Sequence, residues 1–147
     1  MLQFHEEVKV VPSIKPQSLA AGTTNGDLGG TSGWIDTKDV DAAAAVFQFG
    51  AVDDTLTDVD ISVYENDAVT GNGTLIEGAA STDLAGANID AQAHIIDMAL
   101  GGRANHKRYI RPRIVAGATG NMLVSVNVHL YKARTLPVTQ TVAAVVA

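Results

Sequence analysis

A strict two-residue alternation late in the chain constrains the fold more than any other feature of the sequence. Four aliphatic residues alternate there with four polar or amphipathic ones, giving the order Val124, Ser125, Val126, Asn127, Val128, His129, Leu130, Tyr131. Successive side chains of a β-strand point to opposite faces, so the aliphatic set can face a core while the other set faces a wetter surface. The segment is therefore predicted to be a half-buried β-strand.

A second strand-like run precedes this one at residues 108–115, and the connector at 116–121 consists mostly of glycine and alanine with one Thr and one Asn. These small residues supply the permissive backbone of a tight turn, so the two runs are predicted to pair as a hairpin. Pro112 cannot donate a hydrogen bond to a neighbouring strand, which predicts an edge strand or a bulge at that residue.

The window at residues 39–49 is the most ambiguous of the chain. Its four consecutive alanines favour a helix, whereas Val46 to Phe49 followed by Gly50 favour a strand. We interpret it as a strand that packs Ala45, Phe47 and Phe49 on one face.

Several shorter segments complete the predicted set of strands. Val59, Ile61 and Val63 alternate with polar residues and indicate a strand, and residues 74–77 indicate a short one. The small, polar residues 78–91 are interpreted as an excursion loop or rim. Residues 94–100 fit the end of a helix or a strand, and their length favours the strand.

The two ends of the chain have a different character from the middle. Pro12 and Pro16 are expected to limit any N-terminal strand to a short one, and residues 22–30 are turn and loop formers. The C-terminal residues are apolar, so we expect them to add to a sheet or to dock on another subunit. The predicted organisation is an N-terminal arm and Gly-rich loop at 1–32, a β-sandwich body at 33–136 and a C-terminal tail at 137–147.

Short strands separated by Gly, Asn and Asp turns, with no long amphipathic helix, predict an all-β fold. The expected architecture is an antiparallel β-sandwich or a jelly-roll-like barrel with an extended N-terminal arm and C-terminal tail.

Charge is segregated along the chain. All 16 acidic residues lie at or before Asp97, where only three residues are basic, and the other seven basic residues follow. Such halves can be complementary within one fold or between neighbouring copies. The chain has no cysteine, and it shows neither a secretory signal nor an apolar run long enough for a membrane span, so no membrane partner is expected.

Catalytic and metal-binding patterns find little support in the sequence. Asp53, Asp54, Asp58 and Asp60 offer the oxygen ligands that calcium prefers, but their spacing is not that of a calcium loop, and a solvated face is the favoured interpretation. The four histidines show no metal-ligand spacing, and there is no G-x-S-x-G elbow or phosphate-binding loop. These absences do not exclude an enzyme but leave it without support, and we predict neither a cofactor nor a metal site.

A basic group at residues 103–113 raises a nucleic-acid hypothesis, since Arg and Lys can neutralise phosphates. Alternation places Arg108 on the opposite face from Arg111 and Arg113, and the chain as a whole is acidic with a net charge of −6. A protein contact or internal pairing is favoured over direct nucleic-acid binding.

Four segments together resemble a known family. They are Trp34-Ile35-Asp36-Thr37, Val46-Phe47-Gln48-Phe49-Gly50, Val59-Asp60-Ile61-Ser62-Val63-Tyr64-Glu65 and Lys107-Arg108-Tyr109-Ile110-Arg111. This combination resembles the head decoration, or cement, proteins of tailed bacteriophages over about residues 33–136. The Gly-rich stretch at 22–30 and the Val-Ala-rich tail depart from the pattern.

The resemblance implies a non-enzymatic, structural virion protein that binds the phage major capsid protein on the outer head surface, after assembly in the bacterial host cytoplasm. It also implies a homo-oligomer, with a trimer favoured. We expect the ends of the chain and the Arg-rich strand to make the capsid or subunit contacts, through Phe4, Val8, Val10, Arg108, Arg111, Arg113, Val142 and Val145. A phage tail or head-completion protein and a carbohydrate- or ion-binding β-sandwich remain alternatives.

Overall fold

The computed structural model describes residues 7–117 and 120–133, and within these ranges the chain is built from nine β-strands and one helical turn. The strands are β1 (Lys9–Leu19), β2 (Gly22–Asn25), β3 (Ile35–Asp36), β4 (Val40–Val52), β5 (Val59–Asn66), β6 (Thr74–Leu84), β7 (Ala93–Ala99), β8 (Tyr109–Ala116) and β9 (Met122–Ala133). The helical turn is Gly86–Ile89.

The strands form two antiparallel sheets that pack face to face. Sheet A has the order β1-β9-β4-β7, and sheet B has the order β2-β8-β5-β6 with the short β3 also paired to β8. This order is that of a jelly roll, in which two Greek keys close a sandwich. The predicted all-β, antiparallel sandwich is confirmed.

The core lies between the two sheets and consists mainly of aliphatic side chains. Sheet A contributes Ala43, Ala45, Phe47, Phe49, Ile96, Met98 and alternate residues of β9 from Met122 to Leu130, and sheet B contributes residues such as Val59, Ile61, Val63, Ile110 and Ile114. The alternation that predicted β9 is therefore the alternation between core and outer face. Burying these side chains supplies most of the favourable free energy of folding.

The predicted hairpin between β8 and β9 is wrong. Strand β8 pairs with β5, β2 and β3 in sheet B, whereas β9 pairs with β1 and β4 in sheet A, so the connector passes from one sheet to the other. Two loop aspartates fasten the connector, because Gly117 N donates to Asp58 O at 3.1 Å and Asn121 N donates to the Asp53 carboxylate at 2.8 Å. Alternation reports which face is buried but not which strand is the neighbour.

Pro112 lies in β8, which pairs with β5 on one side and with β3 and then β2 on the other. Pro112 lies between the part of β8 that pairs with β3 and the part that pairs with β2. Strand β3 pairs with Tyr109 and Ile110, and β2 pairs with residues from Arg113 onward. The Pro112 carbonyl accepts a hydrogen bond from Gly26 N at 2.9 Å, so its ring nitrogen faces the same break in the ladder. The missing N–H is tolerated there, although β8 is not an edge strand.

The expectation of only a short N-terminal strand is wrong. β1 spans 11 residues that include Pro12 and Pro16, and it forms an edge of sheet A against β9. Its register shifts between Pro12 and Ile14 and again between Ile14 and Gln17, which accommodates the prolines on an edge strand. With β2 in sheet B, the described part of the predicted arm belongs to the sandwich.

The predicted loop at 78–91 is also wrong in its first half. β6 continues to Leu84, because Ile76 and Ala79 are both 2 % exposed and pack in the core. Gly78, with a φ of +78°, and two register shifts against β5 bend the strand and interrupt its alternation, which hid it in the sequence.

The strands predicted at 39–49, 59–64 and 94–100 are confirmed as β4, β5 and β7. Ala45, Phe47 and Phe49 lie together on the core face as predicted. The predicted tail at 137–147 and the contact residues Phe4, Val142 and Val145 lie outside the described residues.

Candidate interaction surfaces

The outer face of sheet A carries few charged side chains. The register of β1, β9, β4 and β7 places these side chains on it: Val10, Pro12, Ala42, Ala44, Val46, Gln48, Ala93, Ile95, Asp97, Ala99, Leu123, Ser125, Asn127, His129 and Tyr131. Asp97 is the one acidic or basic residue in this set if His129 is neutral. We call this set the uncharged face.

Two groups on the uncharged face control its residual polarity. The Tyr131 hydroxyl donates a hydrogen bond to the Asp97 carboxylate, and this bond raises the pKa of Tyr131. Burial lowers the pKa of His129, which favours its neutral form. The face therefore carries the hydrogen-bonded carboxylate of Asp97 at one side and the neutral imidazole of His129 between Val10 and Ala44.

Exposed aliphatic side chains lie on this face. Ile95 is 66 % exposed and Leu123 is 47 % exposed, and Leu123 contributes to a shallow groove with Pro16, Gln48 and Gly50. Depletion of charge with exposed aliphatic groups is typical of the core of a protein interface. Val10, one of the predicted contact residues, lies on this face, and Val8 precedes it beside Tyr131.

The three predicted contact arginines lie in sheet B or directly before it, and each has a partner within the fold. Arg108 is exposed and pairs with the Asp36 carboxylate through two hydrogen bonds of 3.0 and 2.7 Å. This pairing holds the pKa of Asp36 below its ordinary value. Arg108 precedes the first residue of β8, so strand alternation does not determine the direction of its side chain.

Arg111 and Arg113 lie on the outer face of sheet B, where each guanidinium covers an aromatic ring. The guanidinium carbon of Arg111 is 4.3 Å from the centroid of the Trp34 ring, and that of Arg113 is 3.7 Å from the Tyr64 ring. Such cation–π contacts attract the charge to the face of the ring. Burial, with the nearby charge of Arg113, lowers the pKa of Arg111.

The same two arginines hold two loops against sheet B. Arg111 donates to the carbonyls of Ser32 and Gly71 at 3.5 and 3.3 Å, and Arg113 donates to the Asn25 side chain at 2.7 Å. Arg111 is only 9 % exposed. A partner can therefore reach Arg108 and, in part, Arg113 directly. Arg111 is buried and positions the loops at Ser32 and Gly71.

A cluster that the sequence did not reveal lies where β5 ends. Glu65 is 6 % exposed, and its Oε2 lies 3.4 Å from Arg103 Nη1, 3.1 Å from His106 Nδ1 and 3.3 Å from the backbone nitrogen of Lys107. His106 Nε2 lies 3.3 Å from the Thr37 hydroxyl. Thr37, Glu65 and His106 are 28 to 69 residues apart in sequence, so no local spacing signals the cluster.

The order carboxylate, imidazole, hydroxyl resembles the order found in nucleophilic hydrolases. Here Thr37 is 3 % exposed, and its hydroxyl donates to the Arg108 carbonyl at 2.5 Å. The hydroxyl is therefore directed into the fold rather than towards a substrate. The arrangement fastens the segment before β8 to the end of the sandwich.

Two of the four aspartates considered as calcium ligands accept hydrogen bonds from backbone nitrogens instead. Asp53 accepts from Asn121 N, and Asp60 accepts from Asp83 N at 2.8 Å. Across residues 7–117 and 120–133, no group of three metal-ligating side chains comes together. Nor does any helix in these ranges have the length and apolarity to cross a membrane.

Comparison of the chain with protein-family models and with curated proteins finds no match. The candidate surfaces are consequently interpreted from their own geometry. Of the two sheets, A presents the nearly uncharged surface, whereas the three predicted contact arginines at sheet B are already engaged within the fold.

Proposed function

We propose that this protein is a structural component of a tailed-bacteriophage virion, which binds the outside of the capsid and stabilises the lattice of the major capsid protein. Two considerations support the proposal. One is the resemblance of residues 33–136 to head decoration proteins, and the other is an analogy of fold, since jelly rolls are common in viral shell proteins. The same fold occurs in lectins, so the analogy alone does not choose a function.

The observation that carries the proposal is the uncharged face of sheet A. In a chain in which 18 % of residues are charged, a four-stranded face whose paired positions carry one acid, Asp97, with Lys15 in the β1 bulge and Asp41 and Lys132 at one end, is a surface suited to being covered. Aliphatic side chains and the amides of Gln48 and Asn127 can pack and hydrogen-bond to a protein partner. A surface built for a charged ligand would retain unpaired charge.

The face extends over about seven residues of each of four strands. With strands about 4.8 Å apart and a rise of about 3.3 Å per residue, its planar footprint is roughly 450 Å². On a capsid lattice many copies bind side by side, so contacts that are individually weak gain strength through multivalency.

The direct test is a cryo-electron microscopy map of the virion that carries this chain. We expect ordered copies on the outer head, hundreds per particle, with the uncharged face against capsid subunits. Copies confined to a ring of about a dozen would instead assign the protein to the tail or to head completion. Absence from the particle would refute a virion role.

A binding experiment with variants tests which surface is used. Ser125→Lys and Asn127→Lys place charge in the middle of the uncharged face without removing a core side chain. We expect them to abolish binding to heads stripped of this protein, while the midpoint of thermal unfolding stays unchanged. Thr82→Lys on β6 of sheet B is the matched control and should bind normally.

One observation favours a second candidate, a carbohydrate-binding module. A shallow groove at one end of the uncharged face is lined by Asp41, Asp97, Gly101, Tyr131 and Lys132, which brings an aromatic ring beside carboxylates. Glycan-array binding that is lost in Tyr131→Ala would support this role, and binding to heads that survives in the same variant would speak against it.

A further inference from the structure

Among the residues that the structure describes, strand β7 forms a regular free edge of sheet A. It pairs with β4 over seven consecutive residues, from Ala42 opposite Ala99 to Gln48 opposite Ala93, without a register shift. The other long edge strands are interrupted, β1 by two prolines and two register shifts and β6 by two register shifts. Natural sheets commonly protect their edges in those ways, and a regular edge without protection is a template for another strand.

The hydrogen bonds at both ends of β7 establish which backbone groups face this edge. Leu100 N donates to Asp41 O at 2.8 Å, and Phe49 N donates to Gln92 O at 2.9 Å. Because bonding alternates along an antiparallel pair, the even-numbered residues of β7 bond to β4 and the odd-numbered ones point away. Ala93, Ile95, Asp97 and Ala99 therefore direct their N–H and C=O groups outward, and none of these groups has a backbone partner in the described part of the chain.

We propose that β7 pairs with β7 of a second copy of this chain, antiparallel and about a two-fold axis at Ile96. This arrangement places Ala93 opposite Ala99 and Ile95 opposite Asp97, with the reciprocal pairs across the axis. The outward-pointing groups then form hydrogen-bonded pairs, each exchanging two bonds. The two A sheets become one continuous sheet of eight strands.

The pattern of the strand selects this register. A shift by one residue would bring core-facing side chains to the outer face. A shift by two residues in one direction would set Asp97 directly opposite its own copy, and like charges in that position are destabilising. A shift by two in the other direction leaves Ala99 without a partner in β7.

The apolar character of the edge supports a second copy as the occupant. Ile95 is 66 % exposed, and in the proposed register it packs beside the aliphatic base of Asp97 from the second copy. The strand contains no lysine or proline that would discourage self-pairing. The backbone pairing uses the strand edge, although the side chains of Ile95 and Asp97 belong to the uncharged face as well.

The two-fold contact predicts a dimer in solution, in contrast to the trimer favoured by the family resemblance. Light scattering coupled to size-exclusion chromatography, from micromolar concentration upward, measures the mass directly. Ile95→Asp sets two carboxylates opposite each other on both sides of the axis and should raise the dimer dissociation constant about tenfold or more. Adding Asp97→Lys restores opposite charges in the same register and should recover the dimer.

A spin-label distance checks the register itself. Because the chain has no cysteine, Ala93→Cys can be labelled uniquely. In the proposed register the two labelled backbones lie about 20 Å apart along the strand direction, compared with about 14 or 27 Å for the shifted registers. Circular dichroism confirms that each variant is folded.

A trimeric or monomeric wild type, or a dimer unaffected by Ile95→Asp, would overturn the proposal. Association that persists in Ile95→Asp but is lost when residues 137–147 are removed would assign the contact to the C-terminal segment. The capsid role is judged separately. A dimer absent from the virion refutes that role alone, and a monomer ordered on the capsid refutes the dimer alone.

Discussion

Arg111 carries its guanidinium 4.3 Å from the centroid of the Trp34 ring, on the outer face of sheet B. Trp34 is 1 % exposed although it lies outside the sandwich core, because the loops fastened by Arg111 cover it. The side chains of sheet B thus form a small second layer in which a cation and an aromatic ring are buried together.

Replacing Arg111 should loosen this layer. Arg111→Met keeps much of the aliphatic stem but removes the cation–π contact and the hydrogen bonds to Ser32 and Gly71. We expect a loss of about 1–3 kcal/mol in the free energy of unfolding, measured by urea denaturation. Lys38→Met, which removes an exposed cation, should change it by less than about 0.5 kcal/mol. Equal effects would contradict the burial of the Arg111 charge.

The Glu65 cluster should be sensitive to loss of its single acid. Glu65→Leu leaves the Arg103 and His106 side chains and the Lys107 N–H without their shared acceptor. We expect a loss of about 3 kcal/mol, since removing one partner of a buried pair leaves uncompensated groups. Hydrogen exchange should show faster opening around residues 103–107. Glu77→Leu, at an exposed position of β6, is the matched control and should leave exchange there unchanged.

Acidification should destabilise the protein through His129. Burial lowers its pKa in the folded state, so the unfolded chain binds a proton more readily. Stability from this residue is therefore complete above the unfolded pKa of about 6.5 and decreases as pH falls below that value. Denaturation at pH 7.5 and pH 5 should show a smaller difference in His129→Gln than in the wild type. An identical difference in both proteins would show that other groups dominate.

Gly33 should tolerate no side chain. Its φ is +74°, and a Cβ at this position would overlap the carbonyl group of Gly26. Gly33→Ala therefore combines backbone strain with a steric clash, and we expect a loss of more than about 3 kcal/mol. Gly102→Ala shares the positive φ, at +76°, but meets nothing within 4 Å. It should cost only about 1 kcal/mol, and thermal unfolding of the two variants separates clash from strain.

Periodicity revealed the strands with one core-facing side and one outer side. β5 and β9 were predicted because their aliphatic residues recur at every second position, and β4 because Phe47 and Phe49 continue the pattern begun by Ala45. β6 was missed beyond Glu77 because bulges shift its register, and the length of β1 was underestimated because its prolines lie on an edge. Bulges and edges depend on neighbouring strands, which one sequence does not specify.

Contacts between distant residues could not be predicted either, because one sequence does not specify which strands are neighbours. Glu65, His106 and Thr37 come together only because β5 and β8 pair in sheet B, with β3 beside β8. The uncharged face likewise depends on the register of four strands. Its polar residues on β9, which are Ser125, Asn127, His129 and Tyr131, were recognisable from the sequence as the outer side of that strand. The capsid partner, the trimer and the roles of Phe4, Val142 and Val145 stay predictions.

The position of β9 between β1 and β4 affects how the protein can be made in a cell. Strand β1 has β9 as its one neighbour in sheet A, and β9, at Met122–Ala133, also lies between β1 and β4, so sheet A cannot close until the ribosome has released β9. At synthesis rates of 5–20 residues per second, the pairing edge of β1 remains without its neighbour for roughly five to twenty-five seconds. We expect nascent chains to be held by chaperones during this interval, and a chain that ends before residue 122 to aggregate rather than fold.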